Sequence, residues 1–178
     1  MGGYIIMRAA SHEPRIRAVV ASTPIMDWHR LLEESTPAVL RRFPGLLENA
    51  TTRLGAFFDP TQLVVFEKFF QWQVGARTLG EAMRSFESWK VDVTRIHVPV
   101  LSIVGDGEGP AFRRQAQEVH QLLPGPKAFR SFPPSTGADA HTQANNLRLA
   151  QEVVFDWLGE VLPGNRTAGV LAAKVHSA

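Results

Sequence analysis

Cysteine is absent from the 178 residues of this sequence. Its absence excludes disulfide bonds, thiolate metal ligands and cysteine nucleophiles. Long hydrophobic runs are also absent, and no window approaches the roughly 20 apolar residues that a membrane-spanning helix needs. Arg8 interrupts the N-terminal apolar run before that run can form the core of a signal peptide. We therefore expect a cytoplasmic protein that has no membrane partner.

An excess of charge of one sign is also lacking. Lysine and arginine number 19 against 17 acidic residues, which gives a net charge of +2. No stretch concentrates basic residues as a nucleic-acid-binding surface would, so we expect no nucleic-acid partner. With 44% hydrophobic residues, the chain is long enough to form one domain with a sizeable core.

Helical and strand-like segments alternate near both ends of the chain. The N-terminal helical pattern stops before Pro14, and the β-branched run that follows it ends at Thr23 and Pro24. In chain order, the pattern predicts a helix over residues 2–12, a strand over 16–22, a strand over 98–105, a helix over 110–123, a strand over 128–132 and a final helix. The final helix has one apolar face, formed by Leu147, Ala150, Val154, Trp157, Leu158 and Val161.

The middle of the chain, residues 30–90, has helical periods that are interrupted by proline and glycine. We interpret it as a helical insertion between a first segment, 1–29, and a second segment, 91–162, with residues 163–178 as a flexible tail. Because strands and helices alternate outside the insertion, the predicted fold class is α/β, with a mostly parallel sheet covered by helices. Active sites in such sheets lie at the carboxyl ends of the strands.

Two chemically capable segments follow predicted strands. The first, VGDGEG, fails as a dinucleotide-binding fingerprint because Pro110 occupies the position of the third glycine. We therefore expect no cofactor, and we identify no metal site. Asp106 and Glu108 remain as carboxylates that this turn could hold outside the sheet, although solvated loop acids would give the same pattern.

The second segment, GADAH, places His141 after the last predicted strand. A histidine on such a loop exchanges protons near neutral pH, and a carboxylate on the neighbouring loop would orient its ring. Nucleophilic hydrolysis requires this kind of pairing. The other histidines have structural explanations, except that His29, where the insertion begins, either packs in the core or lines a pocket.

Three stretches, MGGYIIMRAA, PVLSIVGDGEG and GADAHTQANNLRLAQEVVFDWL, resemble the α/β-hydrolase superfamily. The last stretch is similar to bacterial esterases and acyl hydrolases related to dipeptidyl aminopeptidases and to the FrsA-like group. The resemblance runs from residue 1 to about residue 162 and implies the C-terminal portion of an α/β-hydrolase fold. That portion would hold about three strands of a parallel sheet, with a helical lid over residues 30–90. The implied function is that of a serine hydrolase acting on a small-molecule ester, amide or related acyl substrate.

The glycines at the start of the chain match part of the nucleophile elbow of that family. The elbow has the pattern G-x-S-x-G, and the triad runs serine, acid, histidine along the chain. Aligned with it, Gly2 closes the motif, Gly3 is an additional glycine, and Met1 follows the serine and supplies an oxyanion-hole N–H. The serine would precede Met1. We therefore expect this chain to be inactive alone, with the Met1 nitrogen as a mobile ammonium.

The same resemblance implies that His141 is the catalytic histidine. For the acid, the family spacing selects Glu108, while Asp106 stays an alternative because the loop is short and both side chains could swing inward. The lid would place aromatic side chains either in a substrate pocket or in its own core: Phe57, Phe58, Phe66, Phe69, Phe70, Trp72 and Trp89.

Two further expectations follow if only three strands of the hydrolase sheet are present. The strand over 16–22 would then lie at an edge, and the segment 18–21 has no charge to prevent pairing with another chain, so we expect self-association. The alternative function is that of a non-catalytic pseudoenzyme or half-domain that binds a complementary partner chain.

Overall fold

The computed structural model describes residues 1–35, 71–77 and 79–162. The chain divides into two compact units, one formed by Met1–Met26 together with the chain from Val91 onward, and the other by Asp27–Lys90. The second unit therefore interrupts the first, as an insertion does. The predicted tail, residues 163–178, lies outside the described residues. In the described part of the chain, no helix combines the length and the apolar character needed to cross a membrane.

Five of the described helices carry the packing of the two units. They are α1 (Gly2–Ala10), α2 (Trp28–Ser35), α3 (Leu79–Ser85), α4 (Pro110–Leu122) and α5 (Leu147–Val161). Helices α2 and α3 belong to the second unit, in which residues 71–74 are also helical. The other three belong to the first unit and cover its sheet.

The first unit contains a parallel sheet of three strands, β1 (Val19–Ser22), β2 (Val100–Gly105) and β3 (Lys127–Phe132), in the order β1-β2-β3. Every residue of β2 is buried, as expected for a central strand that is covered on both faces. No strand among the described residues pairs with the outer edge of β1. The predicted α/β class and the parallel sheet are therefore confirmed.

Strand β1 is shorter than predicted, because it begins at Val19 and not at Ile16. The residues before it form a turn, in which the Ile16 amide donates to the Glu13 carbonyl oxygen at 3.3 Å. Arg15 closes the same turn through an ion pair of 2.8 Å with the Glu13 carboxylate. Pairing with the sheet starts at Val19, whose amide donates to the Pro99 oxygen at 2.9 Å.

Helices pack on both faces of the sheet. Helix α5 packs against a cluster of buried residues formed by Leu101, Ile103, Phe132 and Ala138. Helix α4 packs on β2 and β3, and its His120 ring lies 5.4 Å from the ring of Phe129. Because neighbouring residues of a strand point to opposite faces, Phe129 faces away from α5. The sheet is therefore the middle layer between α4 and α5.

The ends of α4 and α5 follow local sequence signals, and one predicted core residue is wrong. Pro110 occupies the first turn of α4, where its missing N–H has no cost. Helix α5 begins after Asn146, whose side chain accepts a hydrogen bond from a backbone amide of the first turn.

Leu147 was predicted on the apolar face of α5 but is 54% exposed. The packed stripe instead runs through Leu149, Val153, Val154 and Trp157.

The second unit is built around aromatic residues where it is described. The buried ring of Phe86 lies 5.9 Å from the ring of Trp28 and 4.9 Å from that of Trp89. Asp27 and Lys90 form an antiparallel bridge and an ion pair of 3.3 Å, which joins the two ends of this unit.

Two of the aromatic residues predicted for a lid are described. Trp89 packs on Phe86, as a core residue does, whereas Trp72 is exposed. The remaining five lie outside the described residues: Phe57, Phe58, Phe66, Phe69 and Phe70. Within the same unit, Nδ1 of His29 lies 3.6 Å from a carboxylate oxygen of Glu33, one turn further along α2.

Candidate active site

The candidate site lies at the carboxyl ends of the three strands. Thr23 follows β1, the single turn Asp106–Glu108 follows β2, and the loop that carries His141 comes after β3. Because the strands are parallel, all three segments leave the sheet at the same edge. Their side chains meet at the Glu108 carboxylate.

The Glu108 carboxylate is the centre of this cluster, and only 1% of its side chain is exposed. It accepts a hydrogen bond of 2.5 Å from Nδ1 of His141. The Thr23 hydroxyl lies 2.6 and 2.7 Å from its two oxygens, and the Gly105 amide donates to Oε1 at 3.0 Å. A buried carboxylate is costly unless such donors replace water, and here each oxygen has them.

His141 has one side of its ring against Glu108 and the other in solvent. Its side chain is 63% exposed, and Nε2 has no hydrogen-bond partner among the described residues. The carboxylate fixes the proton on Nδ1, since a carboxylate only accepts hydrogen bonds at this position. In the neutral form of the ring, Nε2 is then the nitrogen without a proton, which can take one from another group.

Unusual backbone conformations hold the loop that carries His141. Thr142 and Gln143 both have left-handed backbone angles, with φ of 57° and 55°. The Gln143 amide donates to the Ala140 carbonyl oxygen at 2.8 Å, and the Gln143 side chain is almost completely buried. Residues other than glycine rarely adopt this left-handed conformation, and such backbone strain concentrates at functional sites.

The histidine loop is also pressed against the turn after β2. The Gly107 amide donates to the Asp139 carbonyl oxygen at 3.0 Å. A Cβ atom at Gly105 would lie 2.2 Å from the same oxygen, so glycine is required for this approach. Asn145 donates to the Asp139 side chain at 3.0 Å and completes the contact.

The two acids that the sequence proposed for the site point in different directions. Glu108 is brought to His141, whereas Asp106 accepts a hydrogen bond of 2.5 Å from the Ser131 hydroxyl and lies 3.6 Å from Arg113. The backbone turns between the two acids, so that only one side chain reaches the histidine. Asp106 instead joins the turn to β3 and to α4.

The start of α1 lies beside the same strand ends. A Cβ atom at Gly3 would lie 2.1 Å from the Thr23 carbonyl oxygen, whereas a Cβ atom at Gly2 would meet nothing within 4 Å. The close approach therefore requires a residue without a side chain at Gly3, whereas Gly2 has open space around it. Met1 is half-buried, and this burial lowers the pKa of its amino group, while the charge of Glu108 acts in the opposite direction. The mobility of this ammonium stays a prediction.

Two residues of the site were not found from the sequence, Thr23 and Gln143. The sequence marks Thr23 only as the residue before a proline that ends a strand. Gln143 is buried beside β1, where its Oε1 accepts a weak hydrogen bond of 3.4 Å from the Ser22 hydroxyl, and its Nε2 has no partner among the described residues. No periodicity or motif distinguishes this glutamine from the polar residues around it.

Within the described ranges, no group of three or more histidine or acidic side chains could hold a metal ion.

Comparisons with known proteins leave the family open. No protein-family model matches the chain, and no curated protein matches it. The resemblance to α/β-hydrolases therefore stays a prediction, and any functional conclusion depends on the geometry of the site.

Proposed function

We propose that Glu108 and His141 are the acid and the base of a serine hydrolase of the α/β-hydrolase type. The observation that carries the proposal is the hydrogen bond between a buried carboxylate and an exposed imidazole at the carboxyl edge of a parallel sheet. The substrate would be a small-molecule ester, amide or related acyl compound. No cofactor is needed for this chemistry.

The roles follow from the two environments. Nε2 of His141 takes the proton of a serine hydroxyl as that oxygen attacks the acyl carbon, and later returns the proton to the leaving group. Glu108 holds the ring in the required tautomer and stabilises the imidazolium that forms. Its burial strengthens this interaction, because solvent does not screen the carboxylate.

The proposal places the nucleophilic serine on the residue that precedes Met1. A nucleophile elbow carries its serine on the turn just before a helix. Helix α1 begins at Gly2 and packs through Gly3 on the Thr23 backbone at the end of β1. A residue bonded to the Met1 nitrogen would then lie at the edge of the sheet that carries the acid and the histidine. In this position, the Met1 nitrogen would be an oxyanion-hole donor.

The hydroxyl groups near the pair within the described residues have other roles. The Thr23 hydroxyl donates to Glu108, and the Ser22 hydroxyl points to Gln143. Removing the nucleophile of a serine hydrolase reduces kcat by about 10⁶-fold. The 178-residue chain alone is therefore proposed to show no turnover that depends on His141.

The test is to express the chain together with the residues encoded upstream of Met1 in its source. The extended protein would be treated with a fluorophosphonate probe, which labels activated serines, and assayed with a simple activated ester. We expect labelling that is lost in His141→Ala, while the matched control His12→Ala, at the end of α1, keeps it.

Three results would contradict the proposal. They are an upstream sequence without a serine in the elbow pattern, an extended protein that the probe does not label, and hydrolysis that persists in His141→Ala. The first result would favour the alternative of a non-catalytic half-domain that binds a complementary chain. Specific rescue of its solubility by that chain would be the measurement to make next.

A further inference from the structure

We propose that Thr23 is a positioning residue of this site, whose hydroxyl holds the Glu108 carboxylate in the orientation that His141 needs. The inference rests on the proposed function, since it assigns Thr23 a role in the same acid and base pair. Thr23 would act through Glu108 and would not touch the substrate.

The backbone of Thr23 is held in an unfavourable conformation. Its φ angle is 52°, in the left-handed region that β-branched residues strongly avoid. The following Pro24 adds a restriction of its own, because proline disfavours helical backbone angles in the residue before it. A threonine is therefore a poor choice for this position on conformational grounds alone.

Contacts on both sides of the residue maintain that conformation. The Thr23 amide donates to the Ile103 carbonyl oxygen at 2.7 Å, which continues the pairing of β1 with β2. The Thr23 carbonyl oxygen lies so close to α1 that a Cβ atom built at Gly3 would be 2.1 Å from it. The sheet and α1 together therefore fix the direction in which the Thr23 side chain points.

That direction places the Thr23 hydroxyl against the whole carboxylate. Oγ1 lies 2.6 Å from Oε1 and 2.7 Å from Oε2 of Glu108, so its single proton is shared between the two oxygens. The Gly105 amide fixes Oε1 from the end of β2 at 3.0 Å. Oε2 is then directed to His141. Two strand ends thus hold the carboxylate, and the histidine occupies the remaining position.

The position would have a different residue if it served the backbone alone. Glycine would adopt a φ of 52° without strain, and valine would fill the same buried volume. Threonine adds one feature to these two, the hydroxyl proton. Since the neighbouring carboxylate is buried and charged, this proton is the feature that the site uses.

The first experiment uses the 178-residue chain and needs no substrate. Long-range proton–nitrogen NMR of the His141 ring reports which nitrogen carries the proton. The Glu108→Gln variant, which lacks the carboxylate, gives the reference nitrogen shifts for a ring without this interaction. We expect Thr23→Val to move both ring nitrogen shifts from the wild-type values toward those of Glu108→Gln, and Thr23→Ser to keep the wild-type values.

A matched control separates the site from a general effect of replacing threonine. Thr94 also donates its hydroxyl to a carboxylate, that of Asp92 at 2.5 Å, but on the surface and away from the site. Thr94→Val should leave the His141 shifts unchanged. Urea unfolding of each variant shows whether a change in the shifts comes only from a loss of folded protein.

The second experiment uses the extended protein with its serine. Loss of one hydrogen bond to a charged group corresponds to a decrease of about 10- to 100-fold in kcat. We expect this decrease in Thr23→Val with KM nearly unchanged, because Thr23 does not touch the substrate. Thr23→Ser should restore kcat, since serine keeps the hydroxyl.

The two experiments separate this inference from the proposed function. If the extended protein is inactive but Thr23→Val shifts the His141 nitrogens and Thr23→Ser does not, the positioning role stands and the hydrolase proposal fails. If hydrolysis is present and Thr23→Val matches wild type in both kcat and the nitrogen shifts, the positioning role is overturned. Equal effects of valine and serine would also overturn it, because they would reflect packing and not the hydroxyl.

Discussion

Replacing Glu108 with glutamine is the perturbation that the geometry of the site defines most sharply. The amide oxygen would accept from the Gly105 amide and the Thr23 hydroxyl, as Oε1 does now. The amide nitrogen would then face Nδ1 of His141. Because an amide nitrogen only donates hydrogen bonds, Nδ1 would become the acceptor and the ring proton would move to Nε2. The nitrogen that faces solvent would no longer be able to take a proton.

The effect on stability should be small, because two larger free-energy changes oppose each other. Two donors, the Gly105 amide and the Thr23 hydroxyl, exchange a charged acceptor for a neutral one, and the bond to His141 reverses its direction. At about 1 kcal/mol for each bond, these changes cost about 3 kcal/mol together. The variant also no longer buries a charge whose desolvation costs several kcal/mol. The free energy of unfolding should therefore stay within about 2 kcal/mol of wild type, as measured by urea unfolding.

The effect on catalysis should be large, because the wrong tautomer removes the base. In a serine hydrolase whose acid is changed to its amide, kcat falls by about 10⁴-fold while the geometry is preserved. We expect the same loss for Glu108→Gln in the extended protein, measured with an activated ester. Asp106→Asn is the matched control, since this acid contacts Ser131 and Arg113 and not the histidine. It should retain most of the wild-type kcat.

The role assigned to Glu108 would be contradicted by a glutamine variant that retains more than about a tenth of the wild-type kcat, since the expected loss is about 10⁴-fold. It would also be refuted if Nδ1 of His141 still carried the proton in that variant, by the same nitrogen NMR. A large loss of kcat in Asp106→Asn, with the folded state intact, would indicate that the other acid acts in catalysis.

Four further predictions concern stability and association. Gly3→Ala should destabilise the fold by about 3 kcal/mol in urea unfolding, because its Cβ would lie 2.1 Å from a backbone oxygen. Gly2→Ala, where the Cβ has open space, should be neutral or stabilising by up to about 1 kcal/mol. Equal effects of the two substitutions would contradict the close approach at Gly3. Burial and the Lys127 charge lower the pKa of His120 below its unfolded value of about 6.5, so its contribution to stability is present above about pH 6.5 and is lost as pH falls. His120→Phe should therefore reduce the decrease in melting temperature between about pH 7 and pH 5. An unchanged decrease in this variant would exclude His120 as the cause. Gln143→Met should stay within about 1 kcal/mol of wild type, because the buried Nε2 has no partner within the described residues, and a larger loss would indicate an acceptor. The 178-residue chain should self-associate through the outer edge of β1, which sedimentation velocity would detect as a concentration-dependent coefficient; a concentration-independent monomer would contradict it.

The elements of the fold could be predicted because their signals are local. Pro14 stops the first helix, and Pro110 opens α4 at the residue where the sequence placed it. The errors came from interactions that no local pattern shows. A turn closed by the ion pair between Arg15 and Glu13 precedes β1, and the strand begins only at Val19, three residues later than expected. The first residue of α5, Leu147, lies outside the packed stripe.

The candidate site could be predicted as a set of loops but not as a set of contacts. The strand and turn pattern placed Asp106, Glu108 and His141 at one edge of the sheet. The choice between the two acids depends on how a single turn orients two side chains that are two residues apart. The role of Thr23 depends on a left-handed backbone angle, which the strand pattern before Pro24 does not indicate.

The arrangement around Glu108 makes the site a property of the assembled sheet. Its side-chain donors are 85 residues before it and 33 residues after it, and they meet only when β1, β2 and β3 are paired. Loss of any one donor leaves the same buried charge to the others, so the free energies of removing two donors should not add. The burial that makes Glu108 an effective partner for His141 is therefore also what couples the ends of the three strands.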